Sequence, residues 1–111
     1  MSEDNFAVEL TESAEADLAD IITHARRVAG VVQAQNLLGL LEQRIMALTH
    51  QPERGAHPRE LLALGIREYR QIILEPYRIV YRIIGQRVIV YLIADGRRNM
   101  QALLERRLIG F

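Results

Sequence analysis

Nine arginines thread the stretch Ile66–Leu108: Arg67, Arg70, Arg78, Arg82, Arg87, Arg97, Arg98, Arg106 and Arg107. A guanidinium is permanently charged and planar, and its fork of donors can grip a carboxylate or phosphate at two points. Placed along strands and at a Gly-Arg-Arg corner, such groups suit a surface that holds an anion, either nucleic acid or an acidic protein segment. All 14 basic residues are Arg, and an arginine makes a poor neutral general base. Cysteine is absent, which excludes disulfides and thiolate chemistry and fits a reducing compartment. His24, His50 and His57 are scattered and lack a partner at metal-ligand spacing. No glycine-rich phosphate loop, catalytic triad or paired-carboxylate constellation is visible, so neither metal nor cofactor is expected.

These arginines need a scaffold, and 111 residues with 50% hydrophobic content predict one globular domain over residues 1–111. The net charge is zero but unevenly spread. Residues 1–42 carry eight acids against two arginines, a net of −6, and residues 43–111 carry six acids against twelve arginines, a net of +6. The start, MSEDNFAVEL, is acidic and unlike a signal peptide, and no window is long and apolar enough to span a membrane.

Phe6, Val8 and Leu10 alternate as in a short strand. Thr11 or Ser13 is placed to cap a helix whose first turns carry Glu12, Glu15 and Asp17, as the helix dipole favours. Ala14, Leu18, Ile21, Ile22, Ala25 and Val28 form its apolar stripe, and Gly30 ends it. Ala34, Leu37, Leu38, Leu41, Ile45 and Leu48 mark a second helix, closing an αα-hairpin. Gly39 inside it costs about 1 kcal/mol against Ala unless close packing on the first helix requires it. Residues 49–60 read as a loop.

Three strands follow, Ile66–Leu74, Tyr77–Ile84 and Arg87–Ala94, joined at Glu75-Pro76 and Gly85-Gln86. With Ile84 opposite Arg87, the residues Tyr77, Ile79, Tyr81 and Ile83 share a face with Val88, Val90, Leu92 and Ala94. That uncharged face is the one expected under the helices. Arg78 and Arg82 fall on the opposite face, expected to stay free. Asp95-Gly96 turns the chain, and Arg97–Leu108 reads as a short helix with Met100, Leu103, Leu104 and Leu108 inward. The fold class is therefore α+β: an N-terminal strand, an αα-hairpin, a three-stranded antiparallel meander and a short C-terminal helix.

This order, with three local motifs, resembles the RelE/ParE superfamily of bacterial toxin–antitoxin toxins. The motifs are Thr11-x-x-Ala14-x-x-Asp17-Leu18-x-x-Ile21 in the first helix, Pro76-Tyr77-Arg78-Ile79-Val80-Tyr81-Arg82 in the middle strand and Ala94-Asp95-Gly96-Arg97-Arg98-Asn99 at the corner. The resemblance covers roughly residues 6–108. It implies a cytoplasmic toxin neutralised by a ParD-like antitoxin whose C-terminal part folds on binding against the helical hairpin or the sheet. It also admits a toxin dimer within a toxin–antitoxin complex. RelE-type members cut mRNA in the ribosome, whereas ParE-type members inhibit DNA gyrase.

Cleavage of RNA by its own 2′-hydroxyl needs a base, a stabilised phosphorane and an acid for the leaving oxygen. RelE-type members use lysines and arginines on the strands with a tyrosine near the C-terminus, and by resemblance Arg78 and Arg98 fall at the strand and corner arginines of that clamp and Arg70, with one gap, near one of its two strand lysines. The second lysine position holds Ile72, the C-terminal tyrosine position holds Leu104, and the last histidine is His57. A clamp without proton-transfer groups favours the ParE-type reading, a binding function without turnover. Arg78, Arg82, Arg97, Arg98, Arg106 and Arg107 are the expected target contacts. The structural alternatives are pairing of the strand arginines with Glu68 or Glu75, capping of the sheet at the corner, and dipole complementarity for Arg106 and Arg107.

Overall fold

The computed structural model describes residues 5–110, so Glu3 and Asp4 of the acidic start lie outside it. Strand β1 (Ala7–Leu10) leads into α1 (Glu12–Ala29). The Thr11 hydroxyl caps α1 by accepting from the Ala14 N–H at 3.1 Å. Gly30, at φ 97°, ends α1 and starts α2 (Val31–Met46). Two 3-10 turns, Ala47–Thr49 and Pro52–Arg54, and a four-residue helix α3 (Arg59–Leu62) replace most of the expected loop. Strands β2 (Tyr69–Leu74), β3 (Tyr77–Ile84) and β4 (Arg87–Asp95) then form the meander. The chain closes with α4 (Met100–Leu104), which continues as a π-helical turn over Glu105–Ile109. No described helix is long and apolar enough to cross a membrane.

The four strands lie in the order β1-β4-β3-β2, with β1 parallel to β4 and the other pairs antiparallel. The second hairpin has the expected register at its tip, Ile84 opposite Arg87 and Tyr81 opposite Val90. Gly85 supplies the positive φ of 61° that its turn requires. Past Val90 the register slips, and Val80 pairs with Leu92, which leaves Tyr91 as an extra residue. A single extra residue reverses the facing of everything beyond it, because side chains alternate with period two. Ile93 therefore joins Ile79, Tyr81, Val88 and Val90 under the helical hairpin, packed on Leu41, Ile45 and Leu48. Leu92 and Ala94 turn to the other face with Val80.

That second face is not free. Leu61 of α3 and Met100, Leu103 and Leu104 of α4 pack on Val80, Leu92 and Ala94 in a second core cluster. The expectation of an uncovered arginine face is corrected here, and the cause is the bulge, which gives the second face apolar residues of its own to bury. Gly39 also departs from expectation. A Cβ built there meets nothing within 4 Å, so packing inside the chain does not require it.

Candidate functional site

The strands β2 to β4 carry four arginines, and three are engaged within the chain. Arg70 on β2 donates its Nη1 to the carbonyls of Glu53 at 2.7 Å and Gly55 at 2.9 Å. It clamps the turn after α2 to the sheet edge, where Ala56 and Gln71 also exchange two backbone bonds. Beneath that turn the fully buried Tyr81 donates its hydroxyl to the Pro52 carbonyl, and burial pushes the phenol pKa up. Only glycine fits at position 55, since a Cβ would lie 2.1 Å from the Tyr81 Oη.

Arg78 on β3 forms a two-pronged ion pair with Glu60 of α3, Nη1 to Oε2 at 2.9 Å and Nη2 to Oε1 at 2.8 Å. Its Nε donates to the Gln71 Oε1 at 2.8 Å, so the fork is held from both sides. The side chains are only 13% and 20% exposed. The hydrogen bonds from Arg78 hold the Glu60 carboxyl below its ordinary value, against the opposing pull of burial. Arg78 was expected to pair, if at all, with Glu68 or Glu75. Its partner instead comes from the short helix that the sequence did not announce. Arg87 pairs with Glu9 at 2.8 and 3.0 Å across the β1–β4 join, at an exposed site where such pairs contribute little.

Arg82 is the exception on the strands. It lies opposite Tyr69 in the β2–β3 register, with its guanidinium carbon 5.5 Å from the centre of the Tyr69 ring. Tyr69 meets Tyr91 edge to face at 5.5 Å. The Arg82 Nε is buried without an acceptor, and no carboxylate among the described residues forms a salt bridge with this side chain. This end of the second face, where Tyr69, Arg82, Ile89 and Tyr91 are all only half-buried, borders the α3–α4 cluster, against which Tyr69 packs.

At the corner, Asp95 accepts from the backbone N–H and Nε of Arg97 at 2.9 Å each and from its Nη2 at 2.6 Å. Those bonds draw the Asp95 carboxyl down to about 2. The Arg97 side chain is still 78% exposed. Arg98 is exposed and its side chain has no hydrogen-bond partner among the described residues. It borders a hollow shared with Asp17, Asp20, His24, Tyr77 and Asp95. The Asn99 side chain caps α4 by accepting from the Ala102 N–H at 3.1 Å.

Arg106 is exposed on the π-helical turn, but its neighbour Arg107 is not free. Strand β1 pairs with β4 only as far as Val90, so β4 beyond that point has no strand on its β1 side. Two side chains continue the ladder. Asp17 of α1 accepts from the Ile93 N–H through Oδ2 at 3.0 Å, and Arg107 donates through Nη2 to the Tyr91 carbonyl at 3.0 Å. The two close on each other with a pair of 3.0 Å bonds. Backbone groups of β4 that lie beyond the end of β1 are thus satisfied by a carboxylate and a guanidinium. Asp17 sits in the apolar stripe between Ala14, Leu18 and Ile21, and an acid at that spacing was the one signal in the sequence that could have revealed it.

Arg78 and Arg107, expected as target contacts, are therefore ion-paired inside the chain, and Arg70 is tied to backbone carbonyls. Arg82, Arg97, Arg98 and Arg106 remain reachable. As chemistry, this arrangement can contact anions at several points, but it offers little proton transfer. The His57 Nδ1 is hydrogen-bonded to the Tyr69 carbonyl at 3.0 Å. His24 shares the Arg98 hollow, yet so do three carboxylates, whose charge opposes a phosphate there.

The family model described as ParE toxin of type II toxin–antitoxin system, parDE, matches residues 8–100. Among solved structures, a chromosomal ParDE toxin–antitoxin system from P. aeruginosa superposes with a TM-score of 0.69 at 20% identity, covering 82% of this chain and 96% of the other. A chain of the RelBE2 toxin–antitoxin complex from Mycobacterium tuberculosis superposes with a TM-score of 0.60, also at 20% identity, covering 85% of this chain and 94% of the other. No curated protein sequence matches. With a match spanning most of its length and the fold to go with it, the chain belongs to the ParE toxin family of type II toxin–antitoxin systems.

Proposed function

We propose that this toxin acts by binding, in the manner of ParE-type members, and arrests DNA gyrase without turning over a substrate of its own. One observation carries the reading. Of the three arginines that a RelE-type phosphate clamp would need, Arg70 holds two loop carbonyls and Arg78 is locked by Glu60 and Gln71, leaving only Arg98 free. A clamp short of two members stabilises little of the phosphorane charge. The reachable arginines instead lie apart, Arg82 near the β3–β4 tip and Arg97 and Arg98 at the opposite end of β4, which suits a protein surface with dispersed acidic groups better than a single phosphate. Arg97 takes part because its exposed pair with Asp95 exchanges partners at small cost. Neutralisation falls to a ParD-like antitoxin. The two similar solved structures support this, both being toxin–antitoxin systems.

The ribosome-dependent nuclease reading keeps one point in its favour, the closeness of His24 and Tyr77 to Arg98 around one hollow. Induced expression separates the two. The binding reading expects gyrase-linked DNA cleavage and a damage response with mRNA intact. Early mRNA cutting with normal DNA topology would overturn it.

A further inference from the structure

The end of the second sheet face around Arg82 keeps a charge that the chain itself does not use. The Arg82 Nε is the one buried side-chain nitrogen or oxygen among the described residues that lacks a hydrogen-bond partner. An unmatched donor costs free energy, and no carboxylate among the described residues forms a salt bridge with the guanidinium to offset it. Its neighbours are two tyrosines. Tyr69 lies beside the guanidinium and meets Tyr91 at an interplanar angle of 84°. In such an edge-to-face pair, the ring that contributes its edge keeps its own faces clear of the contact. The half-buried rings therefore retain surface for a third planar group. Burial holds the Tyr69 phenol above its ordinary pKa, so the ring is neutral and does not repel an anion.

The strand register extends the patch. Arg82 faces Ile89 and Ile84 faces Arg87, so all four side chains stand on one face of the sheet. Ile84 is 38% exposed and Arg87 is exposed as well, so no helix covers this end. Arg82 and Arg87 are one strand and two residues apart, about 8 Å between Cα positions. Arg87 is engaged by Glu9 at the surface, in a pair that exchanges partners at small cost. The patch is separate from the clamp positions, since Arg78 lies at the other end of β3 and Arg98 beyond the far end of β4. Cations alone would suit any anion. Cations beside open aromatic surface suit a ligand that brings both negative charge and planar rings. An acidic peptide would use the guanidinium groups and leave the rings idle.

We infer that this end of the sheet is a contact for single-stranded nucleic acid, with a base stacked against Tyr69 or Tyr91 and the flanking phosphates on Arg82 and Arg87. The inference goes beyond the gyrase reading, because it gives the toxin a nucleic-acid ligand of its own, and its test needs no gyrase. Two phosphate contacts and one or two stacked bases give weak binding that many strand sequences satisfy, with a Kd on the order of 10–100 μM at about 50 mM salt.

Fluorescence anisotropy of fluorescein-labelled decathymidylate, titrated with the full chain, tests this, with circular dichroism confirming the fold of each variant. Arg82→Gln is expected to weaken binding about threefold or more and to lower the slope of log affinity against log salt by roughly 0.7. Tyr69→Leu leaves the charge unchanged and is expected to weaken binding about fivefold or more through lost stacking. An abasic strand of the same length keeps every phosphate, and the wild type is expected to bind it about fivefold more weakly. That arm carries the stacking test should Tyr69→Leu misfold. Arg26→Gln removes the same charge from the hairpin on the opposite side of the sheet and is expected to stay within about twofold of wild type. Absence of binding up to about 500 μM toxin overturns the proposal. So does an abasic strand bound as tightly as decathymidylate, or an affinity that neither Arg82→Gln nor Tyr69→Leu changes. Labelled decaglutamate bound as tightly, and weakened by the same two variants, would overturn it too and assign the face to an acidic protein segment.

Discussion

Arg78 and Arg98 look alike in the sequence, each an arginine within a recognisable motif, yet the fold treats them oppositely. Arg78 sits on a strand beneath α3 and is closed by Glu60 and Gln71. Arg98 stands at an exposed corner with no side-chain partner among the described residues. The same division separates Arg107, spent on Asp17 and the Tyr91 carbonyl, from its immediate neighbour Arg106. An arginine motif therefore marks either a joint or a contact surface, and the acceptors within reach decide which. Buried guanidinium groups must be paired to be tolerated at all, whereas exposed ones keep their fork for a partner.

The sharpest way to break this comparison is to remove an acceptor from the locked set. Asp17→Ala leaves the Ile93 N–H and the Arg107 guanidinium without their partner near the bulge. The expected loss is about 2–4 kcal/mol, measured by chemical denaturation. A loss below about 0.5 kcal/mol would mean that Asp17 and Arg107 only decorate the surface.

Glu60→Gln comes next, with an expected cost of about 1.5–3 kcal/mol near neutral pH, since it removes a charge-assisted pair. The pH dependence fixes the mechanism. Arg78 lowers the folded-state Glu60 pKa below 4.5, so the pair contributes in full above that value and is lost as pH falls through the lowered one. The stability gap between wild type and Glu60→Gln should therefore narrow as pH drops below 4.5. Asp95 adds a parallel decline in both proteins between 3.8 and about 2. A gap that stays constant from pH 7 to pH 3 would show that the pair is not the source.

Arg82→Gln should cost the least, about 0.5–1 kcal/mol, because the group has only the Tyr69 ring to lose. The comparison then expects a larger effect on target binding than on melting temperature. Comparable losses in both would move Arg82 into the locked set.

These residues also mark where the sequence could be read and where it could not. Local signals placed the helical hairpin, since Thr11 and Gly30 bracket α1 and the apolar spacing runs through both helices. They placed the meander as well, because Glu75-Pro76 and Gly85-Gln86 punctuate alternating strands. The bulge at Tyr91 was illegible for a physical reason. Val88–Ala94 is apolar on both faces, so a shift of one residue leaves no mismatch for the pattern to reveal. From that one slip followed the wrong facing of Leu92 and Ala94 and the mistaken expectation of a free arginine face. Helix α3 is a single turn, too short for periodicity to mark, and it carries Glu60, eighteen residues from Arg78. The candidate site was legible as composition, down to the corner arginines, but not as a division between joint and surface.

The most direct test of that division is a purified gyrase assay with the double variant Arg98→Ala/Arg106→Ala. Both side chains are exposed and without partners among the described residues, so the melting temperature should stay within about 2 °C of wild type, as for surface substitutions. The expected result is a loss of gyrase inhibition by tenfold or more in a fully folded toxin. Undiminished inhibition by that variant would contradict the assignment of the free arginines to the target.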